Sequence, residues 1–204
     1  MNKTSITFDE KMSGPFVQGA TDPHLGAQSG KAINSEFTMH ATISAPDLDA
    51  LGVDPNHTGQ LKATVDYTPF GQRIPTTNGV FKLFTPADQT GTKNMVYEFC
   101  LQHGGEDYFF HGHKNVRSDA HGTDLWKDTT TLYSTLHKGK DGSGPVVGAG
   151  ILSLGLVDVM KLASTMRAMN GGGVEETATA VAKFGKVFLG ELWDTYAKPL
   201  AKGL

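Results

Sequence analysis

The segment MVYEFCLQHGGEDYFFHGHKNV, residues 95–116, contains two alternating apolar–polar runs joined through a glycine pair. Alternation with a period of two is typical of a strand with one buried face. Gly104-Gly105 fits a two-residue hairpin turn, because such turns need residues that tolerate a positive φ. The segment therefore predicts an antiparallel hairpin in which Glu98 lies opposite His111.

This register sorts the side chains of the hairpin onto two faces. The face expected in the core carries Met95, Tyr97, Phe99, Leu101, Tyr108, Phe110, Gly112 and Lys114. The opposite face carries Glu98, His111 and His113. A buried lysine is costly unless it is paired. We therefore expect Lys114 to reach solvent at the rim, to meet Asp124 or Asp128, or to face an anionic headgroup.

Other segments repeat the strand pattern. They are FTMHATIS (37–44), LKATVDY (61–67), GVFKLF (79–84), TTTLYSTL (129–136) and PVVGAGILSLG (145–155). Seven or eight consecutive strands favour an antiparallel meander, and closing it into a barrel removes the exposed edges. We predict a mainly β protein of the α+β class, built on a calycin-like barrel and followed by two amphipathic helices.

The end of the chain changes to helical spacing. The first apolar stripe is Val159, Leu162, Met166 and Met169, and the second is Val181, Phe184, Phe188, Leu192 and Tyr196. Glycines 171–173 separate the two helices, and Pro199 ends the second. The predicted organisation is an irregular N-terminal arm over 1–35, an antiparallel barrel over 36–156 and a helical extension over 157–204 packed on the barrel.

Composition and charge restrict the classes of function. The chain has 204 residues, a net charge of −3 and no basic run, so we expect no nucleic-acid partner. Cys100 is its one cysteine, which rules out an intrachain disulfide. The N-terminus lacks the apolar core of a signal peptide, and no apolar run reaches the roughly 18 residues that span a bilayer. We expect a soluble, cytoplasmic protein without a membrane span.

The histidine face of the hairpin allows two interpretations. His111 and His113 are two residues apart, and Glu98 lies across from His111, an arrangement that suits zinc, iron or manganese. His121 is a candidate for a third imidazole. The other interpretation is a solvent-facing strand with an ordinary Glu98–His111 cross-strand pair.

Several motifs resemble an accessory, C-terminal region of long bacterial GMC-type, cholesterol-oxidase-like flavoproteins. The motifs are Phe8-x-Glu10-x-Met12-Ser13-Gly14, GVFKLF from Gly79, Gly112-x-Lys114, DLWKDTTTL from Asp124, AGIL from Ala149 and FGKVFLGELW from Phe184. The resemblance implies an association with lipid, sterol or alcohol oxidation. The flavin domain is absent, because no GxGxxG follows an N-terminal strand, and His111 and His113 are not features of that family.

The apolar face of the barrel suggests a ligand site. An eight-stranded barrel is filled by its side chains or holds one small ligand. We predict a non-catalytic binding or accessory module for a hydrophobic small molecule (a lipid, sterol or long-chain alcohol), without a cofactor. The expected ligand-binding residues are Tyr97, Phe99, Phe110, Lys114, Trp126, Asp128 and Tyr133.

Two further functions stay open. The C-terminal helices, with Phe184, Phe188, Leu192 and Trp193, suit docking to a separately encoded oxidoreductase or a homodimer, which requires a filled barrel and an exposed apolar patch. The other is a small-barrel enzyme, metal-dependent through Glu98, His111 and His113. Catalysis is less favoured, because no GxSxG motif occurs and nothing in the sequence activates Cys100.

Overall fold

The computed structural model describes residues 3–87, 92–117, 123–169 and 173–188. Within these ranges, eight antiparallel strands form a closed barrel in which each strand pairs with the next and β8 pairs with β1. The strands are β1 (Ile6–Gln18), β2 (Glu36–Ala45), β3 (Thr58–Tyr67), β4 (Gly71–Pro86), β5 (Thr92–His103), β6 (Glu106–Arg117), β7 (Thr131–Lys138) and β8 (Val146–Ser153). The predicted meander and its closure are confirmed.

Helices occupy several of the connections and the C-terminal part of the described residues. They are α1 (Pro23–Ala32), α2 (Leu48–Val53), α3 (Thr123–Thr130), α4 (Leu156–Thr165) and α5 (Val174–Phe188). No helix in the described ranges is long and apolar enough to cross a membrane. Leu192, Trp193 and Tyr196, predicted to continue the last helix, lie outside the described residues, as does the side chain of Phe188.

The β5–β6 hairpin has the register expected from its glycine pair. Gly104 and Gly105 adopt φ values of +61° and +78°, and His103 pairs with Glu106 across the turn. Glu98 consequently lies opposite His111. The prediction of the turn and of both faces of the hairpin is confirmed.

Aromatic rings from several strands meet inside the barrel. Phe110 of β6 stacks on Phe99 of β5 at 4.5 Å between centroids and on Phe37 of β2 at 5.3 Å. Phe16 of β1 contacts Tyr67 of β3 in an edge-on arrangement at 5.5 Å. Side chains therefore fill the interior, since rings from five strands contact one another across the axis.

The helices cover the outside and one end of the barrel. Helix α1 begins at Pro23 after the N-cap Asp22, whose carboxylate accepts a hydrogen bond from the Leu25 N–H at 2.9 Å. Its Gly26 and Gly30 lie so close to β8 and β1 that a Cβ would meet their backbone atoms at 2.1 and 2.6 Å. In α5, buried Phe184 contacts Phe8 at 5.5 Å between ring centroids.

Two predictions about local structure are wrong. The segment 1–35, expected to be an irregular arm, contains β1, which closes the barrel between β8 and β2, and helix α1. The strand expected from Thr129 begins at Thr131, because residues up to Thr130 belong to α3. The Thr130 hydroxyl donates to the Trp126 carbonyl at 2.6 Å, which satisfies this β-branched residue within a helix.

Candidate functional site

An open groove of about 550 Å³ lies on the outside of the barrel, between the first strands and α4. Its walls come mainly from outward-facing positions of β1, β2 and β3, from Arg73 at the start of β4, and from one flank of α4. The lining residues are Asp9, Glu10, Lys11, His40, Ala41, Thr42, Lys62, Ala63, Thr64, Arg73, Asp158, Lys161 and Thr165. Sequence analysis singled out none of them for this role.

Strand register arranges part of the lining into a row. Lys11 pairs with His40, and His40 pairs with Thr64 on the next strand. The Arg73 guanidinium extends the row, because its Nη1 donates to the Thr64 hydroxyl at 3.3 Å. Directly paired residues have Cβ atoms roughly 5 Å apart. The row therefore brings together polar groups that are distant in sequence.

The groove carries an excess of positive charge. Lys11, Lys62, Arg73 and Lys161 are exposed and make no ion pair with a carboxylate in the part of the chain that the structure describes. The acidic side chains of the lining, apart from the inward-pointing Glu10, are those of Asp9 and Asp158. Four cations and two anions leave a formal charge of +2.

The carboxylate of Asp66 contacts two residues of the row, His40 and Arg73. Asp66 accepts a hydrogen bond from the Arg73 backbone N–H at 2.7 Å and contacts His40 Nε2 at 2.8 Å. The Arg73 N–H, followed by His40, holds the pKa of Asp66 below its usual value. Arg73 has a φ of +52°, a conformation that is uncommon for non-glycine residues and that Asp66 stabilises.

Helix α4 is anchored at its end and exposed along its outer face. The Thr165 hydroxyl accepts from the Asp9 N–H at 2.9 Å, and Thr7 and Arg167 exchange backbone hydrogen bonds of 2.9 and 3.0 Å. No residue of this helix is fully buried. Leu156, Val157 and Met160 form an outward apolar stripe, with exposed fractions of 64%, 62% and 58%.

A second polar cluster lies inside the barrel. Lys114 Nζ is 3.0 Å from Glu10 Oε1, and the Tyr97 hydroxyl donates to Glu10 Oε2 at 2.9 Å. All three residues are buried, and the Lys114 ammonium also lies 5.0 Å from the Tyr97 ring centroid. Burial, followed by the neighbouring Glu10 carboxylate, raises the pKa of Tyr97 well above its ordinary value. The phenol therefore stays protonated and donates.

Two of the three alternatives predicted for Lys114 are wrong, although its inward position is confirmed. It lies neither at the rim nor against Asp124 or Asp128; its partner is Glu10 of β1. Asp128 instead accepts hydrogen bonds from the Arg117 side chain. The ammonium is already neutralised, so a headgroup would have to displace Glu10.

The predicted ligand-binding residues fall into two separate groups. Tyr97, Phe99, Phe110 and Lys114 lie together in the barrel interior. Trp126 and Asp128 are on α3 and Tyr133 is on the outer face of β7, where it contacts His113 at 5.7 Å between centroids. Interior placement of Tyr133 is wrong, because its cross-strand partner His113 points outward.

The predicted metal ligands lie on the outer surface. Glu98 is 3.2 Å from His111 Nδ1 and 2.9 Å from Lys82 Nζ. The hydrogen bond with His111 is the largest cause that lowers the pKa of Glu98, and together with the Lys82 contact it brings this pKa to about 2. Burial, followed by the charge of His111, lowers the pKa of His113.

A metal site at this surface would need a third ligand near the pair. Among the described residues, no three His, Cys, Asp or Glu side chains come together in a way that could hold a metal ion. His121, the third candidate, lies outside those residues. The geometry therefore agrees with the alternative interpretation, a cross-strand pair on a solvent-facing strand.

The sequence has no significant match to a protein-family model, to a curated protein or to a solved structure. The resemblance to GMC-type flavoproteins and the calycin-like affiliation of the barrel therefore stay predictions.

Proposed function

We propose that the chain is a non-catalytic binding module whose ligand, a small anionic molecule, binds in the outer groove rather than inside the barrel. The observation that carries this proposal is the group of four groove cations, Lys11, Lys62, Arg73 and Lys161, none of which forms a salt bridge with a carboxylate among the described residues. The volume of about 550 Å³ lies in the range of about 300–1,000 Å³ that is usual for small-molecule pockets.

The close packing of the barrel interior supports a ligand site on the outside of the barrel. The hydrophobic ligand expected from the sequence needs space inside the barrel and a free Lys114. Stacked rings of Phe37, Phe99 and Phe110 occupy the axis, and Glu10 neutralises Lys114. A ligand would have to displace close-packed side chains there, whereas it can enter the open groove without such rearrangement.

Backbone NMR titration of the ¹⁵N-labelled protein tests the location and the charge requirement together. We use benzoate and phenyl phosphate as anionic probes, benzamide as the neutral analogue, and decanol as a probe of the interior. We expect at least one anion to shift amide signals of β1, β2, β3 and α4, and benzamide to leave them unchanged. Perturbation around Phe99 and Phe110 by decanol alone would support the interior ligand and overturn the proposal.

Matched lysine variants test the role of the groove cations. Lys62→Gln and Lys161→Gln remove one charge each from the groove and should each weaken binding of the anion that binds by about three- to tenfold. Lys31→Gln removes the same charge from the exposed end of α1 and should leave binding unchanged. Equal losses in all three variants would point to non-specific attraction and contradict the proposal.

The outward stripe on α4 favours a second candidate, the docking of a partner protein. Leu156, Val157 and Met160 are exposed, and Lys161 borders them one helical turn after Val157. An apolar patch bordered by acidic residues is the complementary partner surface. Association with the separately encoded oxidoreductase expected from the sequence, and homodimer formation, are proposals of this kind. Sedimentation of the wild type and of Met160→Glu tests the homodimer: self-association that Met160→Glu abolishes supports it, and a monomer at all concentrations rejects it.

A further inference from the structure

We infer that the row formed by Lys11, His40, Thr64 and Arg73 is a subsite for the phosphate group of a small phosphomonoester. This inference rests on the proposed function, since it names the class of anion that the groove prefers. It adds a specific location at the β1–β4 side of the groove and a positioning role for Asp66.

Charge is the first argument for a phosphomonoester. The groove lining has a formal charge of +2, counted from four cations and the acidic side chains of Asp9 and Asp158. A phosphomonoester carries about −1.5 to −2 charges near neutral pH and has three strong acceptor oxygens. The neighbouring Asp66 carboxylate offsets one of these positive charges, so the preference for a phosphomonoester rests on its three acceptor oxygens, which can engage more of the separate cations than the two oxygens of a carboxylate can.

Donor type and placement are the second argument. Arg73 provides a planar fork of N–H donors, which suits recognition of phosphate oxygens. Its Nη1 already donates to the Thr64 hydroxyl oxygen, so the proton of that hydroxyl can be directed toward a ligand. Lys11, at the other end of the row, adds a flexible ammonium.

Asp66 is the positioning residue of the subsite. Its carboxylate engages His40 Nε2 at 2.8 Å, which leaves Nδ1 of that ring for another partner. The same carboxylate accepts from the Arg73 N–H at 2.7 Å and so holds Arg73 at its positive φ. Asp66 therefore orients two members of the row, His40 and Arg73, before any ligand binds.

The test compares phenyl phosphate with benzoate at pH 7.5 in the same NMR titration. Each probe has one phenyl ring, and the two differ in the charge and geometry of the anionic group. We expect phenyl phosphate to bind about tenfold more tightly than benzoate, with the largest shifts at amides near the row. Arg73→Asn should remove most of this preference, because asparagine tolerates a positive φ but lacks the guanidinium.

Asp66→Ala distinguishes a positioning role from a purely electrostatic one, because the two predict opposite changes in the affinity for phenyl phosphate. Removal of a negative charge next to the groove would strengthen anion binding if charge alone mattered. If Asp66 positions His40 and Arg73, loss of its hydrogen bonds should instead weaken phenyl phosphate binding by about fivefold. Benzoate binding should then stay nearly unchanged. Circular dichroism of each variant checks that the barrel is folded.

Each outcome separates the inference from the proposed function. Equal binding of benzoate and phenyl phosphate in the groove rejects the phosphate subsite and leaves the anion-binding module intact. Absence of binding by both anions, or shifts confined to surfaces outside the groove, rejects both. Tighter phenyl phosphate binding in Asp66→Ala rejects the positioning role.

Discussion

Loss of the buried ammonium should destabilise the barrel strongly. In Lys114→Met the apolar stem is nearly preserved, but Glu10 stays buried with only the Tyr97 hydroxyl as a partner. At 3.0 Å, with an effective dielectric constant of about 20, the lost attraction is about 5.5 kcal/mol before the change in solvation is counted. Breaking a buried pair from one side typically costs about 3–5 kcal/mol. We therefore expect the free energy of unfolding to fall by about 3–5 kcal/mol.

Guanidinium unfolding followed by far-UV circular dichroism measures this loss. Lys93→Met is the matched control, because Lys93 is exposed on β5 and its replacement should change stability by less than about 0.5 kcal/mol. The triple variant Lys114→Met, Glu10→Met, Tyr97→Phe removes all three polar groups of the cluster. Its stability should return to within about 1 kcal/mol of the wild type or exceed it, since apolar replacement of buried ion pairs is often neutral or stabilising.

Two results would refute this reasoning. A loss below about 1 kcal/mol in Lys114→Met would mean that solvent reaches Glu10 despite its burial. A triple variant as unstable as the single one would mean that the packing of the lysine stem, and not the uncompensated carboxylate, sets the cost.

Three further predictions concern the surface pair, the turn and α1. Glu98 has its pKa lowered to about 2, so its contribution is present above about pH 4.5 and is lost as the pH falls toward 2. Glu98→Gln should lower stability at pH 7 by about 1 kcal/mol and flatten acid unfolding in that window, measured by denaturation at several pH values. Gly105→Val should cost about 1–2 kcal/mol in the same unfolding assay, whereas Gly104→Asn should be nearly neutral, because asparagine adopts positive φ easily. Gly30→Ala should cost about 2–4 kcal/mol, since its Cβ would meet the Phe16 backbone, while Ser29→Ala on the exposed face should be neutral.

For Lys114, the sequence predicted the position of the side chain but not its partner. The glycine pair set the hairpin register, and the register placed this lysine in the barrel. Its partner could not be found, because Glu10 interrupts the inward apolar series of β1 between Phe8 and Met12 and hides the strand pattern. An inward position for Glu10 can be predicted only when Lys114 is known to lie across the barrel interior from it.

The groove could not be predicted from the sequence for a different reason. Its cations come from β1, β3, β4 and α4, and each is unremarkable in its own segment. The absence of a basic run correctly described the sequence, but strand pairing assembled Lys11, His40 and Thr64 into one row. A site built across strands can be predicted only after the strand order and every register are known.

Tolerance of the triple apolar variant would raise the question of what the buried pair contributes. Inward positions of β1 around Glu10 are occupied by Phe8 and Met12, so a slip by two residues would keep apolar side chains facing the core. Such a slip would, however, leave Lys114 without Glu10, at a cost of about 3–5 kcal/mol. We therefore expect the pair to help specify the register of β1, the strand that closes the barrel. We expect the triple variant to be stable but to show additional, slowly exchanging amide signals for β1 in ¹⁵N-correlated NMR spectra. A single set of signals with wild-type β1–β2 and β1–β8 contacts would show that the apolar residues and Gly14 of β1 specify the register alone.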